Sequence, residues 1–297
     1  ISWKKMGTEK TKVVRMWGGN VVSLEDDETP IFIVMSFQTA YNLLMSPKNN
    51  RFKLVGIIKK KCGLIGVDEA HQSTATTYKD VINLFSQRDT KLVGLTATPG
   101  RHHVGGDLGP TIELSDFYQN NKINIVGDDG ERLENPIDFL TRKGVLANLE
   151  RYSIDSGIEV ELTETEKRKM GQLLDIPSSV LKKLGQNEIR TNLVAAQVIH
   201  LALEKNLPTI VFAPSKDNAI ELSILLSLKG CMSSAVTSET PAQERRDIID
   251  NFKSGNLPAL INFGVLTTGF DAPNIKAVVI ARPTTSVVLY SQMIGRG

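Results

Sequence analysis

The residues best suited to chemistry stand where apolar segments end. Leu64-Ile65-Gly66-Val67 runs straight into Asp68-Glu69, with His71 two residues further on. Two adjacent carboxylates at the end of a buried strand are costly to desolvate unless a cation meets them. The Mg2+ of a metal–nucleotide complex would serve. Asp68 would then face the metal, and Glu69 would be the general base that polarises an attacking water. Two other readings of the same residues stand beside this one. Asp68 or Glu69 could be an acidic N-cap that favours the dipole of a following helix. His71 could join the carboxylates as a metal ligand, but His102-His103 and His200 lie apart and no ligand spacing supports it.

A second apolar segment, Lys91–Leu95, ends in Thr96-Ala97-Thr98-Pro99. Hydroxyls at Thr96 and Thr98 could hydrogen-bond the carboxylate cluster and report its state, or the segment is a strand running into a turn. The elements that must position these groups are short β-branched runs at 31–36, 63–67, 91–96, 209–213, 259–263 and 276–281. Helix-like stretches at 77–85, 218–229 and 243–253 lie between several of them. Such alternation predicts an α/β fold of parallel sheets covered on both faces, with ligands beyond the strand ends. The alternation breaks from about 100 to 190, where glycine-rich turns precede a charged helix-like stretch at 162–174. The expectation is a first lobe over 1–150, a mostly helical connector over 151–190 and a second lobe over 191–297.

Composition limits the classes available. At 41% hydrophobic and 23% charged the chain is ordinary globular material. No apolar run reaches the ~18 residues that would cross a bilayer. Cys62 and Cys231 are isolated, which leaves no disulfide framework or cysteine-cluster zinc site and fits a reducing, cytoplasmic setting without membrane. With 35 Lys+Arg against 33 Asp+Glu, any nucleic-acid site must be local.

Taken in order, these segments resemble motifs of the superfamily 2 helicases. Asp68-Glu69-Ala70-His71 is similar to motif II and Thr96-Ala97-Thr98 to motif III. Residues 209–226 look like motif IV, 261–284 like motif V, and Gln292–Gly297 like the start of motif VI. Residues 34–44 resemble motif Ic, and the stretch between the lobes looks like the XPB/RadD-type branch.

The resemblance implies two RecA-like lobes that use ATP and Mg2+. Asp68 would hold the metal, while Glu69, His71 and Arg296 would be catalytic, Arg296 acting as an arginine finger. It implies coupling through Thr96, Thr98 and Gln292, and nucleotide contacts from Gly269 and Asp271. Nucleic-acid backbone contacts would come from Ser36, Gln38, Thr39, Thr237, Ser238, Thr267 and Thr268.

The function implied is ATP-driven translocation on, or remodelling of, double-stranded or branched DNA, with repair or nuclease partners. A motor subunit of a restriction or phage-defence nuclease, an RNA helicase, and a non-catalytic nucleic-acid clamp are the alternatives. Aromatic content is 6% with no interleaving of basic residues, which favours phosphate tracking over base stacking and steep salt dependence. No GxxxxGK[ST] phosphate loop occurs in the 297 residues, and the chain opens on Ile1. The resemblance puts that loop before residue 1 and a second motif VI arginine after Gly297. The expectation is that these residues alone hydrolyse ATP poorly and that the complete protein is an ATPase.

Overall fold

The β-branched runs form parallel strands, and the helices between them supply the crossovers. A computed structural model of the chain describes residues 12–16, 24, 30–45, 49–96, 109–172, 175–266 and 272–296. The described residues divide into two units, with the boundary between Ile123 and Asn124.

In the first unit, β1 (Lys12–Met16) pairs in parallel with β2 (Ile31–Met35). After them come α1 (Phe37–Met45), α2 (Asn49–Lys61), β3 (Leu64–Asp68), α3 (Thr76–Phe85), β4 (Lys91–Leu95) and α4 (Gly109–Phe117). β3 and β4 are parallel and in a register that sets Asp68 opposite Leu95. Both strands therefore end at the same level, and the residues that follow them, Glu69 and Thr96, are neighbours. Val14, Met16, Leu43, Val81 and Phe85 pack one cluster, and Val67, Ala70 and Ile82 another. The other face of β3 and β4 leaves Leu64, Val93 and Leu95 exposed, so among the described residues helices cover this pair on one side only.

The second unit opens with α5 (Pro136–Arg142), after which residues 147–163 carry no helix or strand. α6 (Glu164–Gln172), α7 (Ser178–Gly185) and α8 (Glu188–Ile199) follow. Thr163 and Glu166 close a reciprocal cap on α6: the Glu166 N–H donates to Thr163 Oγ1 and the Thr163 N–H to Glu166 Oε2. Ser179 at 2.8 Å and Lys183 at 2.7 Å also donate to this carboxylate, which fastens α6 to α7. Lys183 above all, then the Thr163 N–H, hold the Glu166 carboxyl down at about 2 from an ordinary 4.5.

Four parallel strands, β5 (Thr209–Phe212), β6 (Ser233–Val236), β7 (Ala259–Asn262) and β8 (Ala277–Ile280), lie in the order β6-β7-β5-β8. They alternate with α9 (Lys216–Leu228) and α10 (Ala242–Lys253), and α11 (Val287–Ile294) closes the unit. Alternate residues of one strand reach opposite faces. Ile210 and Phe212 pack with Phe252, Leu260 and Met293, whereas Val211 packs with Leu222, Leu226 and Ile261. Each such side chain, fully buried, contributes about 1.5–3 kcal/mol. Asn218 ties three helices together, its amide donating to Gly185 O and Thr191 Oγ1, both at 2.9 Å.

Candidate nucleotide and nucleic-acid sites

β3 ends in a turn that presents its acidic pair. Asp68 is exposed, and its Oδ1 accepts the Glu69 N–H at 2.9 Å. Glu69 sits at φ 52, ψ 47, a left-handed conformation that costs a non-glycine residue about 1 kcal/mol. It leads a single 3-10 turn, Ala70–Gln72, without making a side-chain cap, so the N-cap reading of this carboxylate does not describe it. His71 is 6% exposed; its Nδ1 lies 3.1 Å from Thr96 Oγ1 and 3.4 Å from Glu69 Oε2. A proton on Nδ1 would be donated toward both. One imidazole thus links the carboxylate after β3 to the hydroxyl after β4.

The support beneath this turn rests on a glycine. A Cβ on Gly94 would stand 2.5 Å from Tyr118 Cζ and 2.7 Å from the Ala70 Cβ, so β4 must be bare here for Ala70 and Tyr118 to settle on it. The Tyr118 hydroxyl meets the hydroxyl of fully buried Ser73 at 2.9 Å. Burial pushes the Tyr118 phenol up, so it stays protonated. Tyr78 donates to Gln72 Oε1 at 2.5 Å from the other side. Gly94, Ser73 and Tyr118 were not singled out by sequence reasoning; a glycine interrupting an apolar strand was the available signal.

Ser36, Gln38 and Thr39 come together on the first turn of α1. Ser36 caps the helix by accepting the Thr39 N–H at 3.1 Å, its hydroxyl is 2.9 Å from that of Thr39, and Gln38 donates to Asn42. Ser36 and Gln38 are exposed. A helix N-terminus with outward polar groups is suited to a phosphate.

In the second unit, Thr237 and Ser238 follow β6. Thr237 is 4% exposed: its N–H donates to Thr240 Oγ1 at 2.9 Å, and its hydroxyl accepts the Glu239 N–H at 3.2 Å. Arg245 clamps the turn by donating to the carbonyls of Thr237 and Thr240, both at 3.1 Å. The exposed residue of the pair is Ser238. Gln292 and Arg296 are half-buried, on and just after α11, which is anchored by fully buried Met293. Thr98, Thr267, Thr268, Gly269 and Asp271 lie outside the described residues.

Two further groups shape this end of the second unit. Asn262 is 1% exposed at the end of β7, and its Oδ1 accepts the N–H groups of Val265 and Leu266, folding the entry to the segment that holds Thr267 and Asp271. A lone amide closing an apolar strand was its signal. Asp175, between α6 and α7, accepts from Arg282 at 2.6 Å, from the Thr284 hydroxyl at 2.7 Å and from the Thr285 N–H at 3.2 Å. It thereby fixes the link from β8 to α11; nothing in the local sequence announces a partner so far away.

Comparison with known proteins matches this organisation. Residues 2–101 match the family described as type III restriction enzyme, res subunit, and residues 191–297 the helicase conserved C-terminal domain. The putative mitochondrial ATP-dependent helicase irc3 of Schizosaccharomyces pombe is 39% identical over 258 residues, which is 86% of this chain and 38% of the relative. The putative ATP-dependent helicase IRC3 of Saccharomyces cerevisiae is 30% identical over 239 residues, covering 79% of this chain and 31% of the relative. The chain therefore spans about a third of the length of these two relatives. Among solved structures, a variant of S. cerevisiae Dbp5 bound to RNA and ADP BeF3 superposes with a TM-score of 0.54 at 18% identity, over 99% of this chain and 61% of that one. At that identity the likeness speaks for the fold, a RecA-like α/β architecture. With both families matched in chain order and the helicase relatives beside them, the chain belongs to the superfamily 2 helicases.

Proposed function

We propose that this chain is the nucleotide-hydrolysing and nucleic-acid-gripping part of an ATP-dependent helicase or translocase that moves on or remodels duplex or branched DNA. The observation that carries the reading is the turn after β3, where the strained Glu69 carboxylate lies 3.4 Å from an imidazole that reaches Thr96. Asp68, exposed and without an ion-pair partner among the described residues, is a hard oxygen ligand of the kind Mg2+ takes. The metal, when bound with ATP, neutralises charge on the β- and γ-phosphates.

Glu69 takes the proton of the attacking water. His71 holds that carboxylate in place and passes its state to Thr96. Arg296 counters charge that develops on the γ-phosphate. Gly269 and Asp271 serve the nucleotide, and Thr98 and Gln292 couple its state to the grip. Ser36, Gln38, Thr39, Ser238, Thr267 and Thr268 hold phosphates, contacts that set position without reading sequence, and Thr237, named with them from the sequence, closes the turn that presents Ser238. The lobes span 1–150 and 191–297 with 151–190 between them, although residues 124–150 group by their contacts with the second unit. The branch is the XPB/RadD type, working with repair partners in the cytoplasm. The match of residues 2–101 to a restriction-enzyme family favours, in second place, the motor of a restriction or defence nuclease.

The test is Mg2+-dependent ATP turnover by the full-length protein with duplex DNA, forked DNA and RNA of equal length. Stimulation greatest with duplex or forked DNA supports the reading. Stimulation by RNA alone replaces it with an RNA helicase, and no turnover with any of them leaves the non-catalytic clamp.

A further inference from the structure

A surface helix is ordinarily apolar toward its own core and polar toward water; one that is apolar all round is covered on both sides. α9 is apolar on both sides. Ala219, Leu222 and Leu226 are fully buried against the sheet. Ile220, Ile224 and Leu228, spaced four apart along the outer side, are 44%, 55% and 81% exposed. This stripe lines an open groove of about 650 Å3 whose other wall is the start of α8. The residues of the groove include Glu188, Asp217 and Glu221 but neither Lys nor Arg. None of the three carboxylates has an ion-pair partner among the described residues. Of the basic residues beside them in sequence, Lys216 pairs with Glu239 at 2.8 Å and feels the Asp217 charge only as its weakest influence, and Arg190 donates to the Ala281 carbonyl.

We propose that this groove docks an amphipathic helix of a partner protein, its apolar ridge on Ile220, Ile224 and Leu228 and Lys or Arg along its edges. An i, i+4, i+8 stripe is the spacing that a helix laid in a groove reads. Charge selects the occupant. Three carboxylates without an ion-pair partner among the described residues repel nucleic-acid phosphates. In a two-fold pairing of copies they would face one another, because such an interface sets the same patch on both partners. A basic-edged helix both covers the stripe and neutralises the rim. None of the residues lining the groove is among those assigned to the nucleotide, so the inference stands independently of the activity proposed above.

The experiment uses the 297-residue chain and a fluorescein-labelled synthetic helix of about 16 residues, enough to span α9. The peptide carries Leu along one face and Lys and Arg along both edges; a control peptide has Glu in their place. Anisotropy titrations should show saturable binding of the basic peptide, at least about tenfold tighter than the acidic one. Ile224→Glu should weaken binding of the basic peptide by at least about tenfold, and Glu221→Lys should narrow the preference between the peptides. Both positions are outside the buried core, and unchanged thermal melts verify that the variants fold. Chemical-shift mapping of the basic peptide onto the unaltered chain is a readout that needs no variant, with α9 and the start of α8 expected to move. Binding of neither peptide, equal affinity for both, unchanged binding by Ile224→Glu, or shifts away from α9 would each overturn the proposal. So would a dimer of the chain that Ile224→Glu dissociates, which would assign the groove to a second copy.

Discussion

Replacing Gly94 by alanine tests how the catalytic turn is supported. The new methyl would stand 2.5 Å from Tyr118 Cζ and 2.7 Å from both the Tyr118 hydroxyl and the Ala70 Cβ, against a comfortable carbon separation of about 3.5–4 Å. Something must yield. If Tyr118 swings away, it leaves the hydroxyl of fully buried Ser73, at a cost of about 1 kcal/mol. If Ala70 moves, it drags Glu69, its neighbour in the left-handed conformation. Overpacking adds about 1–3 kcal/mol, for a total destabilisation of about 2–4 kcal/mol. With a urea dependence of about 2 kcal/mol per molar, the midpoint of the first unit should fall by about 1–2 M.

Gly66 provides the control. It lies on the neighbouring strand, opposite Val93, and a Cβ there meets nothing within 4 Å. Gly66→Ala should be neutral or stabilising by up to about 1 kcal/mol, because alanine loses less backbone freedom in a strand. Urea titrations followed by circular dichroism measure both variants. A displacement of the turn by about 1 Å would also cut turnover of the full-length protein by about a hundredfold in Gly94→Ala. A wild-type midpoint for Gly94→Ala, or equal destabilisation by Gly66→Ala, would refute the packing argument.

Asp175→Asn keeps the shape of the side chain but removes the charge that meets Arg282, and should cost about 1–3 kcal/mol in the second unit by urea titration; a change below about 0.3 kcal/mol would show that the tie to α11 is idle. The Glu166 carboxyl is held down at about 2 in the folded chain, chiefly by Lys183. Its stabilisation is therefore complete above about pH 4.5 and is lost as pH falls toward 2. Glu166→Gln should lower stability near neutrality and flatten the acid loss across that window, measured by urea midpoints from pH 7 to 3; equal acid slopes in both proteins would contradict the assignment.

Much of this architecture was legible because most strands of the second unit are short, largely apolar and bounded by turn residues. Thr209–Phe212 and Ala259–Asn262 are buried on both faces, and such runs declare themselves. Ser233–Val236 did not, since its two serines hide a strand that only pairing with β7 reveals. The stretch expected to be a largely helical connector, 151–190, opens with 151–163 free of helix or strand; helices begin again where Thr163 and Glu166 can form a cap. At the candidate site, the residue types at 68, 69, 71 and 96 and their places after two strands were readable. Their convergence depends on the parallel register of β3 and β4, which no local pattern encodes. The left-handed Glu69 was not visible either, because glutamate has no preference for that conformation. Thr237, expected to contact nucleic-acid backbone, is instead turned inward to close its own turn. Asp175 and Arg282, 107 residues apart, pair through the fold alone.

The central claim is that Glu69 activates water for ATP hydrolysis. Single-turnover hydrolysis of Mg-ATP by the full-length protein and its Glu69→Gln variant tests it most directly, with nucleotide binding measured in parallel. Glutamine preserves the size of the side chain and removes the base. The account predicts that Glu69→Gln retains ATP with unchanged or tighter affinity while the chemical step slows by about 10²–10⁴-fold, the range of a lost general base. An unchanged hydrolysis rate, with nucleotide bound as in the wild type, would contradict it.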